Sequence, residues 1–97
     1  MEYKILYTGA ALIGLDEIVG FIHNDNAVAA ERFGHALLNH VDLLAAFPRI
    51  GEPVARRAGI RRMLHTPIWI YYRINEDKKI VEVIRFWHGS RKPPKLT

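Results

Sequence analysis

Ile68-Trp69-Ile70-Tyr71-Tyr72-Arg73-Ile74 is the stretch on which the fold turns. β-Branched and aromatic residues fill it, and successive side chains of an extended chain point to opposite faces. One face then carries Ile68, Ile70, Tyr72 and Ile74, apolar enough to meet a core. The other carries Trp69, Tyr71 and Arg73 and is expected to turn outward. Residues 61–65 read as a preceding strand, joined through a Thr66-Pro67 turn. Residues 79–87 read as a following strand, joined through the polar link Asn75-Glu76-Asp77-Lys78. Three strands so connected are expected to form an antiparallel meander. The last of them divides less cleanly. Ile80, Ile84 and Phe86 share a side with Glu82, against Val81, Val83, Arg85 and Trp87.

Upstream of the meander, residues 49–59 contain Gly51, Pro53 and Gly59 with no sustained period, so a connection is expected there. Before it the period is helical. Ala30, Phe33, Leu37, Val41 and Leu44 fall on one face of a helix that Phe47-Pro48 ends, because proline cannot continue the hydrogen-bond ladder. Ala11, Leu15, Ile18 and Ile22 form the stripe of an earlier helix. Between the two, His23-Asn24-Asp25-Asn26 supplies a polar turn with Asp25 or Asn26 as N-cap. Residues 3–8, rich in β-branched and aromatic side chains and closed by Gly9, read as a first strand. The order β-α-α-β-β-β predicts a two-layer α+β domain with an antiparallel helical hairpin against one sheet face. Residues 1–97 form a single domain on this reading, with residues 91–97 a loose, basic, proline-containing tail.

The 97 residues suffice for one domain, and 49% apolar with 25% charged residues is ordinary globular composition. Without cysteine there is no disulfide framework and no thiolate chemistry. The first residues lack a signal-peptide layout, and no apolar run is long enough to span a bilayer, so a cytoplasmic protein without a membrane partner is expected. Charge is unevenly spread. Residues 1–55 hold three basic and seven acidic residues, a net of −4, whereas residues 56–97 hold eleven and three, a net of +8. Such asymmetry points to an acidic or polyanionic partner for the C-terminal part.

The five histidines contain no i, i+4 pair and there is no cysteine to complete a zinc site, so no metal and no cofactor are expected. Gly9, Gly14 and Gly20 match no phosphate-binding loop, and no nucleophile motif is present. What remains is the outward Trp69, Tyr71 and Arg73. Arginine among aromatics on a sheet fits two readings equally: stacking of bases with phosphate binding, or cation–π packing for stability. A metal-independent RNase would need cations on the phosphate and a proton donor, for which Arg61, Arg73, Arg85 and His88 are the candidates. On a regular strand Arg85 and His88 face opposite ways.

The words Ala29-Ala30-Glu31-Arg32-Phe33, Leu37-Leu38, Val41, Leu44, Phe47-Pro48-Arg49-Ile50-Gly51, Gly59-Ile60-Arg61, Tyr71-Tyr72-Arg73-Ile74 and Ile84-Arg85-Phe86-Trp87-His88-Gly89-Ser90-Arg91, in that order, resemble the RelE/ParE family of bacterial toxins. Leu15-Asp16-Glu17-Ile18 fits as well, and the resemblance spans nearly the whole chain. It implies the RelE/ParE-like fold and the toxin of a type II toxin–antitoxin pair, of the kind that serves plasmid stabilisation and growth inhibition. It also implies a hetero-oligomer with a small, acidic, partly disordered antitoxin of the ParD-like kind. Members are ribosome-dependent mRNA endonucleases or poisons of DNA gyrase. Where YoeB-like endonucleases carry an acidic residue and a near-terminal tyrosine, this sequence has Val54 and Gly89, which favours the ParE-like, non-catalytic reading. The resemblance places target contacts at Arg61, Arg62, Trp69, Arg73, Arg85, Trp87, His88, Arg91 and Lys92. Antitoxin contacts are expected at Ile13, Glu17, Phe21, Arg73 and Arg85.

Overall fold

A computed structural model describes residues 2–96. The elements are β1 (Lys4–Tyr7), α1 (Gly9–Asp25), α2 (Ala27–Asp42), a 3-10 turn (Leu43–Ala45), β2 (Glu52–Pro53), β3 (Ile60–His65), β4 (Ile68–Asn75) and β5 (Ile80–His88). They form an α+β domain of two layers, as the element order predicts. Among the described residues no helix is long and apolar enough to cross a membrane.

Side-chain caps set the helix boundaries. The Thr8 hydroxyl accepts from the Ala11 N–H at 3.0 Å and itself donates to the Ile84 carbonyl at 2.8 Å, tying the start of α1 to β5. Asn26 serves both helices. Its N–H donates to the Ile22 carbonyl at 2.9 Å and closes α1, while its side-chain oxygen accepts from the Ala29 N–H at 2.9 Å and opens α2. One residue therefore makes the hairpin turn. The expected stripe of α2 is buried at Ala30, Leu37, Val41 and, in the turn beyond, Leu44, with Phe33 half-buried.

The sheet has five strands in the order β1-β5-β4-β3-β2. The meander β3-β4-β5 is antiparallel as expected, but β1 lies parallel to β5, with Lys4 opposite Ile80 and Tyr7 opposite Val83. The segment expected to be only a connection contributes a fifth strand, the two-residue β2. Two residues carry too little pattern to be seen in sequence.

Ile68, Ile70 and Tyr72 of β4 are buried under the helices, as their alternation predicts. β5 corrects the reading of its faces. The register passes from Tyr71 opposite Arg85 to Tyr72 opposite Val83, so Ile84 is an extra residue, a β-bulge. The bulge reverses the alternation. Val81, Val83 and Phe86 all reach the core, while Glu82, Arg85 and Trp87 pair with the outward Arg73, Tyr71 and Trp69. The core is thus Leu37, Val41 and Leu44 against Ile68, Ile70, Tyr72, Val81, Val83 and Phe86.

One polar residue anchors the loop before β2. The buried Tyr72 hydroxyl donates to the Pro48 carbonyl at 2.7 Å and accepts from the Gly51 N–H at 2.9 Å. A Cβ on Gly51 would come within 2.6 Å of that hydroxyl and of the Arg62 carbonyl, so only glycine fits.

The tail departs from expectation. Residues 91–96 have no regular structure, yet they are not loose. Trp87 Nε1 donates to the Lys92 carbonyl at 2.7 Å, Pro94 is buried, and Pro93, Pro94 and Leu96 border the same cleft as Tyr71. Tyr71, on the outer face, is only 2% exposed for this reason. Prolines give the tail little entropy to lose on docking.

Candidate functional site

β1 ends opposite Val83, so the remainder of β5 has no strand on that side. The first half of α1 lies there instead, brought close at Gly14, where a Cβ would stand 3.2 Å from the Phe86 carbonyl. Between α1 and the end of β5 runs a groove. Its upper part, about 190 Å³, is bordered by Ile13, Glu17, Arg85, Trp87 and His88. Its lower part, about 480 Å³, is bordered by Phe21, Ile22, Phe33, Pro67 and Ile68. Glu17, Ile18, His88 and Arg91 line both.

The groove gathers residues from both expected sets: Ile13, Glu17 and Phe21 on one bank, Arg85, His88 and Arg91 on the other. Ile13 is 63% and Phe21 76% exposed, costly for large apolar side chains left in water. The spacing of positions 13, 17 and 21 places them along one side of α1. Ile18, Ile22 and Phe33 complete the apolar floor. Sequence reading assigned them to the core stripes and missed that their half-buried edges face a groove.

His88 Nδ1 takes the N–H of Ser90 at 3.1 Å and lies 2.7 Å from its hydroxyl. With Nδ1 an acceptor, the proton of the neutral ring sits on Nε2.

Arg61, Arg62, Trp69, Arg73 and Lys92 do not gather there. On the outer face Trp69 and Trp87 stand opposite each other. Each ring already has a cation over it, Arg62 at 4.0 Å from Trp69 and Arg91 at 4.0 Å from Trp87, with Arg85 at 5.9 Å from Trp87. These are the contacts of cation–π packing. Arg62 also donates to Glu52 at 2.8 Å. Hydrogen bonding to Tyr71 is the leading reason that its guanidinium sits above its ordinary value. Arg73 is paired with Glu82 at 2.6 Å. Arg61 donates to the Gly51 carbonyl at 2.6 Å and the Arg49 carbonyl at 3.4 Å, holding the loop that Tyr72 anchors.

The four residues that an RNase would need do not meet at one point: Arg85 and His88 border the groove, and Arg61 and Arg73 lie away from it. Arg73 lies five residues along β4 from Ile68, the partner of His88, a separation of roughly 17 Å at about 3.4 Å per strand residue. By register Arg61 opposes the core residue Tyr72, whereas Arg73 and Arg85 lie on the outer side.

Comparison with known proteins gives one consistent result. The profile of the family described as "ParE toxin of type II toxin-antitoxin system, parDE" matches residues 5–93. The chain is 34% identical over 95 residues to a Sinorhizobium fredii protein named "Putative toxin Y4kP", covering 96% of this chain and 95% of that one. In fold it is similar to the RelBE2 toxin–antitoxin complex of Mycobacterium tuberculosis, at TM-score 0.72 and 22% identity over 91% of this chain and 99% of that one. It is also similar to a chromosomal ParDE system of P. aeruginosa, at TM-score 0.77 and 20% identity over 90% and 96%. A free mutant of the E. coli toxin RelE follows at TM-score 0.60 and 16% identity over 92% and 85%. With the family profile spanning almost every described residue, this chain belongs to the ParE toxins of type II toxin–antitoxin systems.

Proposed function

We propose that this toxin inhibits growth by binding its target, DNA gyrase, without catalysis, and that a cognate antitoxin neutralises it from the groove between α1 and β5. The observation that carries the non-catalytic reading is that Arg61 and Arg73 stand away from the groove that Arg85 and His88 border. In-line attack on a phosphodiester needs acid, base and cation within hydrogen-bond reach of one phosphate. Arg61 and Arg73 are moreover already engaged, one with backbone carbonyls and one with Glu82. Val54 and Gly89, standing where endonuclease relatives carry an acid and a tyrosine, support the same reading.

The groove suits an antitoxin that is acidic, partly disordered and ParD-like. Its apolar side chains would cover Ile13 and Phe21, and its carboxylates would meet Arg85 and Arg91, leaving a hetero-oligomer in the cytoplasm. Glu17 on the α1 bank asks for a basic or polar residue opposite it. The complex of ribosome, mRNA and toxin is the competing target.

Purified toxin is expected to make gyrase accumulate cleaved DNA while leaving translated mRNA uncut in primer extension. Codon-linked cuts that vanish in His88→Ala would replace gyrase poisoning by RNase action. Phe21→Glu should weaken antitoxin binding at least tenfold by calorimetry with little change in stability, since the ring is exposed. Unchanged affinity would move the antitoxin off this groove.

A further inference from the structure

The loop between β2 and β3 carries Arg56 and Arg57, which no reading of the sequence assigned to a site. Its backbone is pinned. Val54 N–H donates to the Ile60 carbonyl at 2.9 Å, Arg57 N–H to the Val54 carbonyl at 3.2 Å, and Ile60 N–H to the Arg57 carbonyl at 3.1 Å. Arg56 stands at φ +62°, a left-handed conformation uncommon for a residue other than glycine, asparagine or aspartate. The loop thus holds two adjacent guanidinium groups in a fixed turn.

Those two cations differ from their neighbours. Arg49 is bridged to Glu76 at 2.9 Å, Arg62 to Glu52 at 2.8 Å and Arg73 to Glu82 at 2.6 Å, and Arg61 is bound to backbone carbonyls. Among the described residues the guanidinium groups of Arg56 and Arg57 have no acidic, hydrogen-bond or aromatic partner, and both residues are exposed. A cleft lies on each side of them. One, about 590 Å³, adds Arg62 to the pair, and the other, about 670 Å³, adds Arg49 and Arg61. The acids bordering these clefts are Glu52 and Glu76, each already matched by one arginine. Five arginines against two carboxylates leave a local excess of three positive charges.

We infer that the Arg56–Arg57 loop is a binding site for the phosphodiester backbone of duplex DNA. Planar guanidinium forks match phosphate geometry, and adjacent forks flanked by open clefts can take neighbouring phosphates of a strand. The choice of duplex over single strand follows from the rings. Single-strand binding relies on aromatic faces free to stack unpaired bases. Here the faces of Trp69 and Trp87 lie under Arg62 and Arg91, and Tyr71 is buried. What stays open is charge without a stacking platform, the chemistry of backbone contact. The site does not depend on the groove or on gyrase, and DNA alone is the probe.

The test is fluorescence anisotropy of a labelled duplex of about 20 base pairs across a salt series, in the range where phosphate contacts are read as a slope. Wild-type protein is expected to bind with a steep dependence on salt. The double variant Arg56→Asn/Arg57→Ala, in which asparagine tolerates the positive φ, should lose affinity and flatten the log–log slope by about 0.9 for each phosphate contact removed. Arg56→Lys/Arg57→Lys should restore most of the slope, and Arg32→Ala, on the exposed face of α2, should leave it unchanged. Thermal melting monitored by circular dichroism checks that each variant folds. The inference is overturned if the wild type does not bind, if the double variant keeps the wild-type slope, or if single-stranded RNA of equal length binds more tightly than the duplex.

Discussion

Two imidazoles 25 residues apart in sequence, His40 on α2 and His65 on β3, meet Nδ1 to Nδ1 at 2.9 Å. Their ring centres are 5.1 Å apart, close to the longest distance that such a contact permits. The nitrogens therefore point along the line of centres, as in an N–H···N bond, and do not converge on a third point as metal ligands do. One proton lies between the two nitrogens, and a second one there would set two N–H groups face to face. Burial, and then the charge of His40, hold the His65 ring below the ordinary histidine value. A histidine depressed in the folded state lends stability that is full above its unfolded value, about 6.5, and is lost as pH falls through the lower folded value. Melting temperature should accordingly drop on acidification below pH of about 6.5, and His65→Gln should flatten that drop. An identical pH profile for wild type and variant would show that the pair does not couple to folding. Tyr72 acts at the same scale. Tyr72→Phe strands the Gly51 N–H and the Pro48 carbonyl, so urea unfolding should report a loss of about 1–3 kcal/mol. A loss within experimental error would mean that water replaces the hydroxyl.

At the scale of elements, the sequence disclosed what local pattern encodes. The alternation of β4, the stripe of α2 and an N-cap at Asp25 or Asn26 are each written within a few residues. Where the structure differs, the cause lies in partners distant along the chain. Ile84 gives the face of β5 a mixed pattern, because only its pairing across Tyr71 and Tyr72 reveals an extra residue. The parallel join of β1 to β5 links positions 76 residues apart, beyond the reach of any window. The candidate groove was legible in part. Ile13 and Phe21 stand off the core stripe of α1, but the half-buried edges of Ile18, Ile22 and Phe33 carry no local sign of a cleft. Arg62 and Arg73 looked like free cations because their carboxylate partners lie across strands. The tail looked loose because its prolines forbid regular structure, yet a docked strap needs none. Removing residues 92–97 should uncover Tyr71 and Trp87, shift tryptophan emission to longer wavelength and cost on the order of 1–2 kcal/mol, the value of one well-buried side chain. An unchanged emission spectrum would return the tail to solvent.

For the whole molecule, the asymmetry of charge seen in sequence becomes a division of labour in space. The acidic first half supplies the helical layer, and the basic second half supplies three of the five strands, the cationic bank of the groove and the arginine loop. The cations do not form one free surface, since several are neutralised by Glu52, Glu76 and Glu82. Among the described residues, the arginines of the second half without a carboxylate or backbone partner, Arg56, Arg57, Arg85 and Arg91, lie at two places, the β5 end of the groove and the loop before β3. The order of the strands also predicts how the molecule responds to loss of its end. A chain stopped before Ile80 lacks the strand that β1, β4 and the start of α1 all lean on, and circular dichroism should show no cooperative melting. A cooperative transition in that fragment would show that the helical hairpin and the β3–β4 pair suffice.

That same central position of β5 bears on when the poison exists. The strand follows both of its neighbours in the chain, β1 by 76 residues, and contacts between such distant positions close late. Until β5 is in place, β1 has no strand to pair with and the start of α1 has no carbonyl to tie to. The surface on which a toxin of this fold depends therefore comes into being in one closing step, and a chain without β5 has no groove for any partner to cover.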